Sequence, residues 1–259
     1  MQKIGDRLVL SPSDLNDFLE CEHKTSIKVR RHLDGLAVDR VESPEAEILW
    51  RQGLAHERSW LERFKDDGRQ VVELRAPGDD WNAAADETLH AVRTGAQVIY
   101  QAVFVDGDSR GIADFLVRVD APSLLGSWSY EAWDTKLARK AKPAYVFQLA
   151  FYSAQIERLT GRRPEFMHVI LGTNETERLR TDDFLSYYRG VRGRFRRFVA
   201  DLPTTYPYPI AHCSRCPFNA VCDERWRRDE HLSLVAGIRR GQVSSTIAPR
   251  RRRPSSLGG

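Results

Sequence analysis

The segment YEAWDTKLARKAKPAYVFQLAFY, residues 130–152, constrains the fold more than any other stretch of the chain. Its first nine residues read as a strand. The run from Ala144 then repeats apolar residues at helical spacing and ends at Gly161, a residue suited to closing a helix. EFMHVILG follows as another apolar strand. Strand side chains alternate between faces, so Asp134 and Lys136 share one side and aim at a single place.

Upstream, LSPSDLNDFLECEHKTSIKVRRHL offers Ser11 or Ser13 as an N-cap. Leu15, Phe18 and Leu19 follow at helical spacing, which puts Cys21 about two turns into a first helix. A second helix is expected from about Pro44 to Phe64. QVIYQAVFVDGDSRGIADFLVRVD reads as two strands joined by a turn at Asp106 to Ser109, with Asp114 inside the second. After the turn TNET and the residues ERLR comes a long helix near 182–200. This order predicts an α/β fold, a mixed sheet flanked by helices.

A chain of 259 residues with 41% hydrophobic content can bury a real core. The N-terminus lacks the features of a secretory signal and no run of 18 apolar residues occurs, so a cytosolic (cytoplasmic) protein off the membrane is expected. From about Gly241 the sequence is polar and basic and reads as a disordered tail, residues 241–259. Arg250 to Arg253 account for the whole net charge of +4. Any phosphate-binding surface is therefore a local patch, with YYRGVRGRFRRF (187–198) and ERWRRDEH (224–231) as candidates against a reading as solvated helix faces.

An acid followed two residues later by lysine suits phosphodiester chemistry. The carboxylate offers hard oxygen to Mg²⁺ or Mn²⁺, and the ammonium can orient a water or offset charge on the phosphate. With 36 acids and seven lysines, about one such triplet arises by chance, and Glu22-His23-Lys24 is set aside as a solvated stretch. Asp134 differs by its apolar surroundings, where an unpaired carboxylate costs several kcal/mol or shifts its pKa until neutral. Lys136 could neutralise it in a structural ion pair. Asp114, in the equally apolar GIADFLV, adds a second acid, and two acids for one lysine favour a divalent metal.

Taken in order, Gly53-Leu54-Ala55-His56, Gly111-Ile112-Ala113-Asp114, Asp134-Thr135-Lys136 and Gln148-x-x-x-Tyr152 resemble the PD-(D/E)xK nucleases of the RecB type. That group includes CRISPR-associated exonucleases and nuclease modules fused to helicase-like ATPases. The resemblance covers roughly residues 8–240. It implies a restriction-endonuclease-like core over 1–206, and Mg²⁺ or Mn²⁺ held by Asp114, Asp134, the Thr135 carbonyl and His56. Lys136 would position the attacking water, while Gln148 and Tyr152 steady the site or contact DNA. Asp134 stands where Glu is commoner, and His56, Gln148 and Tyr152 are also ordinary residues of amphipathic helices.

Cys213-x2-Cys216-x5-Cys222, with Cys21 far upstream, suits a tetrathiolate centre better than four unligated thiols. Zinc is the physical alternative, with His212 as a spare ligand. The one-plus-three arrangement resembles the 4Fe–4S staple of the RecB-type relatives and implies that residues 207–240 pack as a cysteine segment against the first helix. The function expected is a metal-dependent DNase, acting on single-stranded or end-exposed DNA in repair, recombination or defence. The alternative is a non-cleaving nucleic-acid-binding or scaffolding module that serves a helicase or ATPase partner.

Overall fold

The structure, a computed structural model, describes residues 1–5, 7–38, 44–235, 237–238 and 241–242. The chain divides into two compact units, Met1–Ala37 with Glu42–Pro203, and Val38–Val41 with Thr204–Gly259. The expected basic tail, beyond Gln242, lies outside the described residues.

The first unit opens with a small antiparallel pair, β1 (Gln2–Ile4) and β2 (Arg7–Val9). Helix α1 (Pro12–Glu20) follows, with Ser11 as N-cap and Pro12 in its first turn. The buried Asp14 carboxylate accepts from the Ser11 N–H at 2.9 Å and hydroxyl at 2.6 Å, the half of a capping box in which the third helical residue reaches back to the N-cap.

Cys21 does not lie within this helix. Its extended backbone (φ −158°, ψ 107°) breaks the chain between α1 and α2 (Glu22–Leu33), because its N–H closes α1 on the Asp17 carbonyl while its Sγ accepts the Lys24 N–H at 3.4 Å. Nor is Lys24 solvated. Its ammonium lies 2.6 Å from Asp17, and its side chain is 10% exposed.

Helix α3 (Pro44–Asp66) matches its expected span. Then come β3 (Val71–Glu73) and α4 (Trp81–Arg93). The predicted hairpin is β4 (Val98–Asp106) and β5 (Ser109–Val119), antiparallel and turning at Gly107 with φ +59°. The run continues as β6 (Ser129–Lys136), α5 (Pro143–Thr160), β7 (Phe166–Leu171), β8 (Thr176–Arg180) and α6 (Thr181–Asp201). Gly161 ends α5 in the left-handed conformation that its lack of a side chain permits.

Among the described residues the main sheet runs in the order β3-β4-β5-β6-β7-β8. The β3–β4 and β6–β7 pairs are parallel and the others antiparallel, so the sheet is mixed. Alternation along the strands sorts the core. Tyr130 and Ala132 of β6 and Met167, Val169 and Leu171 of β7 pack with Leu149, Ile156 and Leu185 of α5 and α6. Phe115 and Val117 of β5 and Ile170 of β7 pack on the other face with Leu61 and Phe64 of α3. Each large apolar side chain so buried contributes about 1.5–3 kcal/mol. The second unit carries a short 3-10 turn over Ala211–Arg215 and α7 (Asn219–Arg228), whose buried Trp226 donates to the Pro207 carbonyl at 2.9 Å.

Candidate active site

The β5–β6 register, which pairs Phe115 with Trp133, brings Asp114 and Asp134 to neighbouring positions on adjacent strands. Thr135 ties them. Its backbone N–H and its hydroxyl each donate to Asp114 Oδ2 at 2.7 Å. Asp134 is fully buried; its Oδ1 accepts from Gln148 Nε2 of α5 at 3.0 Å, and its Oδ2 meets the Lys136 ammonium. Lys136 Nζ also lies 5.5 Å from the Tyr145 ring centroid, a cation held against an aromatic face.

Charge in this compartment is unbalanced. Burial first, then the Asp114 charge, push the Asp134 carboxyl up to about 7 despite the opposing pull of Lys136. Burial opposes the Lys136 ammonium, but Asp134 and Asp114 outweigh it and raise its pKa. Glu57 of α3 belongs to the same field: burial and then Asp114 raise it to about 7. Its carboxylate accepts from Gln101 Nε2. Gln101 lies between the Tyr100–Phe115 and Ala102–Ala113 pairs, opposite Asp114, and adopts φ +58°. A non-glycine residue in that region stores ~1–3 kcal/mol of strain, and such strain gathers at functional sites.

Two sets are thus joined by direct contacts, Asp114 with Thr135, and Asp134 with Lys136 and Gln148. Tyr152 stands beside them: its buried hydroxyl donates to the Ile112 carbonyl, and burial with the Asp134 and Asp114 charges raises its pKa well above the usual phenol range. His56, one residue before Glu57, has a buried Nε2 with no hydrogen-bond partner among the described residues. Glu131 takes the opposite face from Asp134 and accepts from the Phe166 N–H at 3.0 Å while meeting His168 Nε2 at 2.7 Å.

For a divalent ion the donor chemistry fits. Two aspartates and Glu57 supply hard oxygens, one lysine leaves negative charge in excess, and His56 Nε2 is an orphaned buried acceptor or donor. As placed, no three His, Cys, Asp or Glu side chains among the described residues stand close enough together to hold a metal ion. The same applies to the cysteines, none of which is in a disulfide. In the second unit the Cys213 Sγ accepts the Ile210 N–H at 3.4 Å, and Cys222 lies in the first turn of α7.

The arginine-rich runs are largely neutralised by local partners. Arg189 and Arg192 reach Glu157 and Asp106 at 3.0 Å, and Arg196 pairs with Asp108. In α7, Arg227 pairs with Asp223 at 2.7 Å, and Arg228 with Asp229 at 3.2 Å. Arg194 and Arg197 of α6 are exposed.

No family model matches this chain. No curated protein matches it either. Among solved structures it is similar to one titled "Crystal structure of SSO0001", at 14% sequence identity and a TM-score of 0.35, over 86% of this chain and 89% of that one. A likeness of that size carries no argument about function.

Glu57 and Gln101 escaped the sequence reading. In AHERSWLERF, Glu57 is one of several acids on an amphipathic helix, and nothing local sets it apart. A glutamine facing an acid across a hairpin was the available signal for Gln101, since the turn at Gly107 fixes the register. No helix among the described residues is long and apolar enough to cross a membrane.

Proposed function

We propose that this protein is a metal-dependent nuclease that hydrolyses phosphodiester bonds in DNA, acting on single-stranded or end-exposed strands. The observation that carries this reading is the meeting of Asp114, Asp134 and Lys136 on adjacent strands, with Asp134 fastened by Gln148 from α5. Asp114 and Asp134 would hold Mg²⁺ or Mn²⁺, with His56, Glu57 and the Thr135 carbonyl as further donors. Such an ion, when bound, polarises a phosphoryl oxygen and lowers the pKa of a coordinated water. Lys136 orients the attacking water and offsets charge on the phosphate. Gln148 holds the Asp134 carboxylate in place, and Tyr152 anchors α5 to β5 through Ile112.

Purified protein with Mg²⁺ or Mn²⁺ is expected to degrade DNA, and Asp114→Ala and Lys136→Ala to abolish cleavage. Activity in both variants equal to that of the parent protein would defeat the assignment.

A second reading rests on one observation: the Asp134 carboxylate already accepts from Gln148 at one oxygen and meets the Lys136 ammonium at the other, as in a structural ion pair. It makes the protein a non-cleaving nucleic-acid-binding or scaffolding module that works with a helicase or ATPase partner. DNA binding without metal-dependent cleavage distinguishes it.

For the cysteines the proposal is a structural 4Fe–4S cluster held by Cys21, Cys213, Cys216 and Cys222, with zinc as the alternative. Thiolates at these positions are the donor set of either group. Brown colour and iron content after anaerobic purification support the cluster, and colourless protein with zinc supports the alternative.

A further inference from the structure

A cavity of about 320 Å³ lies beside the acid site, lined by Gln2, Ser13, Trp81, Arg110, Gln148 and Tyr152 among others. Through Gln148 it adjoins Asp134 directly. Arg110 is 8% exposed, yet it pairs with no carboxylate among the described residues. Its guanidinium lies 3.9 Å from the Trp81 ring centroid and donates to the Gln2 side-chain oxygen, a neutral partner. Burial lowers its pKa, with no opposing charge beside it among the described residues. A buried guanidinium without a counter-ion is costly, and its planar fork of donors fits a phosphate in a bidentate manner.

Position along β5 adds to this. Arg110, Ile112 and Asp114 alternate onto the same side of the strand, and four residues at ~3.3 Å each separate Arg110 from Asp114 by about 13 Å. A cavity of about 320 Å³ is at the small end of ligand sites and has room for one nucleotide rather than a duplex.

We propose that this cavity seats a phosphate-bearing terminal nucleotide of the substrate strand, its phosphate on Arg110, so that the chain end is gripped while the bond nearby lies at Asp114 and Asp134. This rests on the nuclease reading and assigns it an end-recognition site. Ser13, exposed at the first turn of α1, supplies a hydroxyl at the lining. Trp81 keeps the guanidinium oriented.

The test is equilibrium binding of fluorescent single-stranded oligonucleotides bearing a 5′-phosphate, a 3′-phosphate or neither, to the full chain in excess EDTA, where no cleavage occurs. One phosphorylated end is expected to bind at least about tenfold tighter than the unphosphorylated strand, the size of a charge-assisted hydrogen-bond pair. Arg110→Gln should remove that preference. Ser13→Glu, an exposed change that places negative charge at the lining without disturbing the buried guanidinium, should remove it as well. Competition separates the sources of phosphate: a nucleoside monophosphate should displace the phosphorylated strand at lower concentration than inorganic phosphate. Equal binding of all three strands overturns the proposal, as does a preference that survives in both variants or equal competition by the two competitors. Metal-dependent cleavage lost in Asp114→Asn, alongside equal binding, would leave the nuclease reading standing and remove only the end-recognition site.

Discussion

Thr135 places two hydrogen bonds, one from its backbone and one from its hydroxyl, on a single oxygen of Asp114, both at 2.7 Å. The effect is to fix the Asp114 carboxylate across the β5–β6 strand pair and aim its other oxygen away from Thr135. Thr135→Val keeps the side-chain shape and the backbone donor but removes the hydroxyl. Cleavage at limiting Mg²⁺ should fall about 10–100-fold, the usual loss when a group orienting a ligand is removed. Raising the Mg²⁺ concentration should recover much of it, whereas Asp114→Asn should not be rescued. A metal titration of the initial rate measures both.

Lys136→Ala leaves the fully buried Asp134 without its cation. Breaking a buried pair from one side costs about 3–5 kcal/mol, and the partial exposure of Lys136 favours the lower end of that range. Urea denaturation in EDTA should show this loss. Mn²⁺ should restore part of the stability in this variant, because a divalent ion can take over neutralisation of the carboxylate.

The raised pKa of Asp134 sets a sign for the pH dependence. Between its ordinary value near 3.8 and about 7, the folded state holds more protons than the unfolded one, so stability falls as pH rises through this window. Glu57, also pushed up to about 7, acts in the same direction. In EDTA the protein should therefore lose stability from pH 5 to pH 8, and Asp134→Asn should flatten the decline. If the two proteins show the same slope, Asp134 does not carry the burden assigned to it. Denaturant midpoints at the two pH values suffice.

Two glycines of the sequence motifs have opposite fates. A Cβ on Gly111 would stand 3.1 Å from ring atoms of both Phe151 and Tyr152 and 3.2 Å from Pro12. Gly111→Ala should cost about 1–3 kcal/mol by overpacking and push Tyr152 from the Ile112 carbonyl. At Gly53, within α3, a Cβ would meet no atom within 4 Å, and Gly53→Ala should stabilise the helix by about 0.4–1 kcal/mol. Thermal unfolding of the two variants checks the contrast.

The elements around the acids were legible because their periodicity is strong. The β4–β5 hairpin has a turn at Gly107 between two apolar runs, and α5 carries its apolar residues at helical spacing up to Gly161. β8 was not, since in TERLR only Leu179 is apolar and its pairing with β7 is what makes it a strand. The α1–α2 break was hidden too. Apolar spacing runs across Cys21, and only the closing bond to Asp17 and the capping by its own sulfur divide the helices. At the site, strand parity put Asp134 beside Lys136, and helix spacing placed Gln148 near Tyr152. The approach of Glu57 to Asp114 depends on how α3 lies on the sheet, which no local pattern encodes.

The most direct measurement is calorimetric titration of Mn²⁺ into the metal-stripped protein and into Asp114→Asn and Asp134→Asn, each first shown by circular dichroism to be folded. The parent protein should bind Mn²⁺ at the acid site with release of protons near pH 7, as carboxyls held up to about 7 ionise on binding, and both variants should lose that binding. Undiminished binding in either variant, or none in the parent protein, would contradict a divalent centre on Asp114 and Asp134.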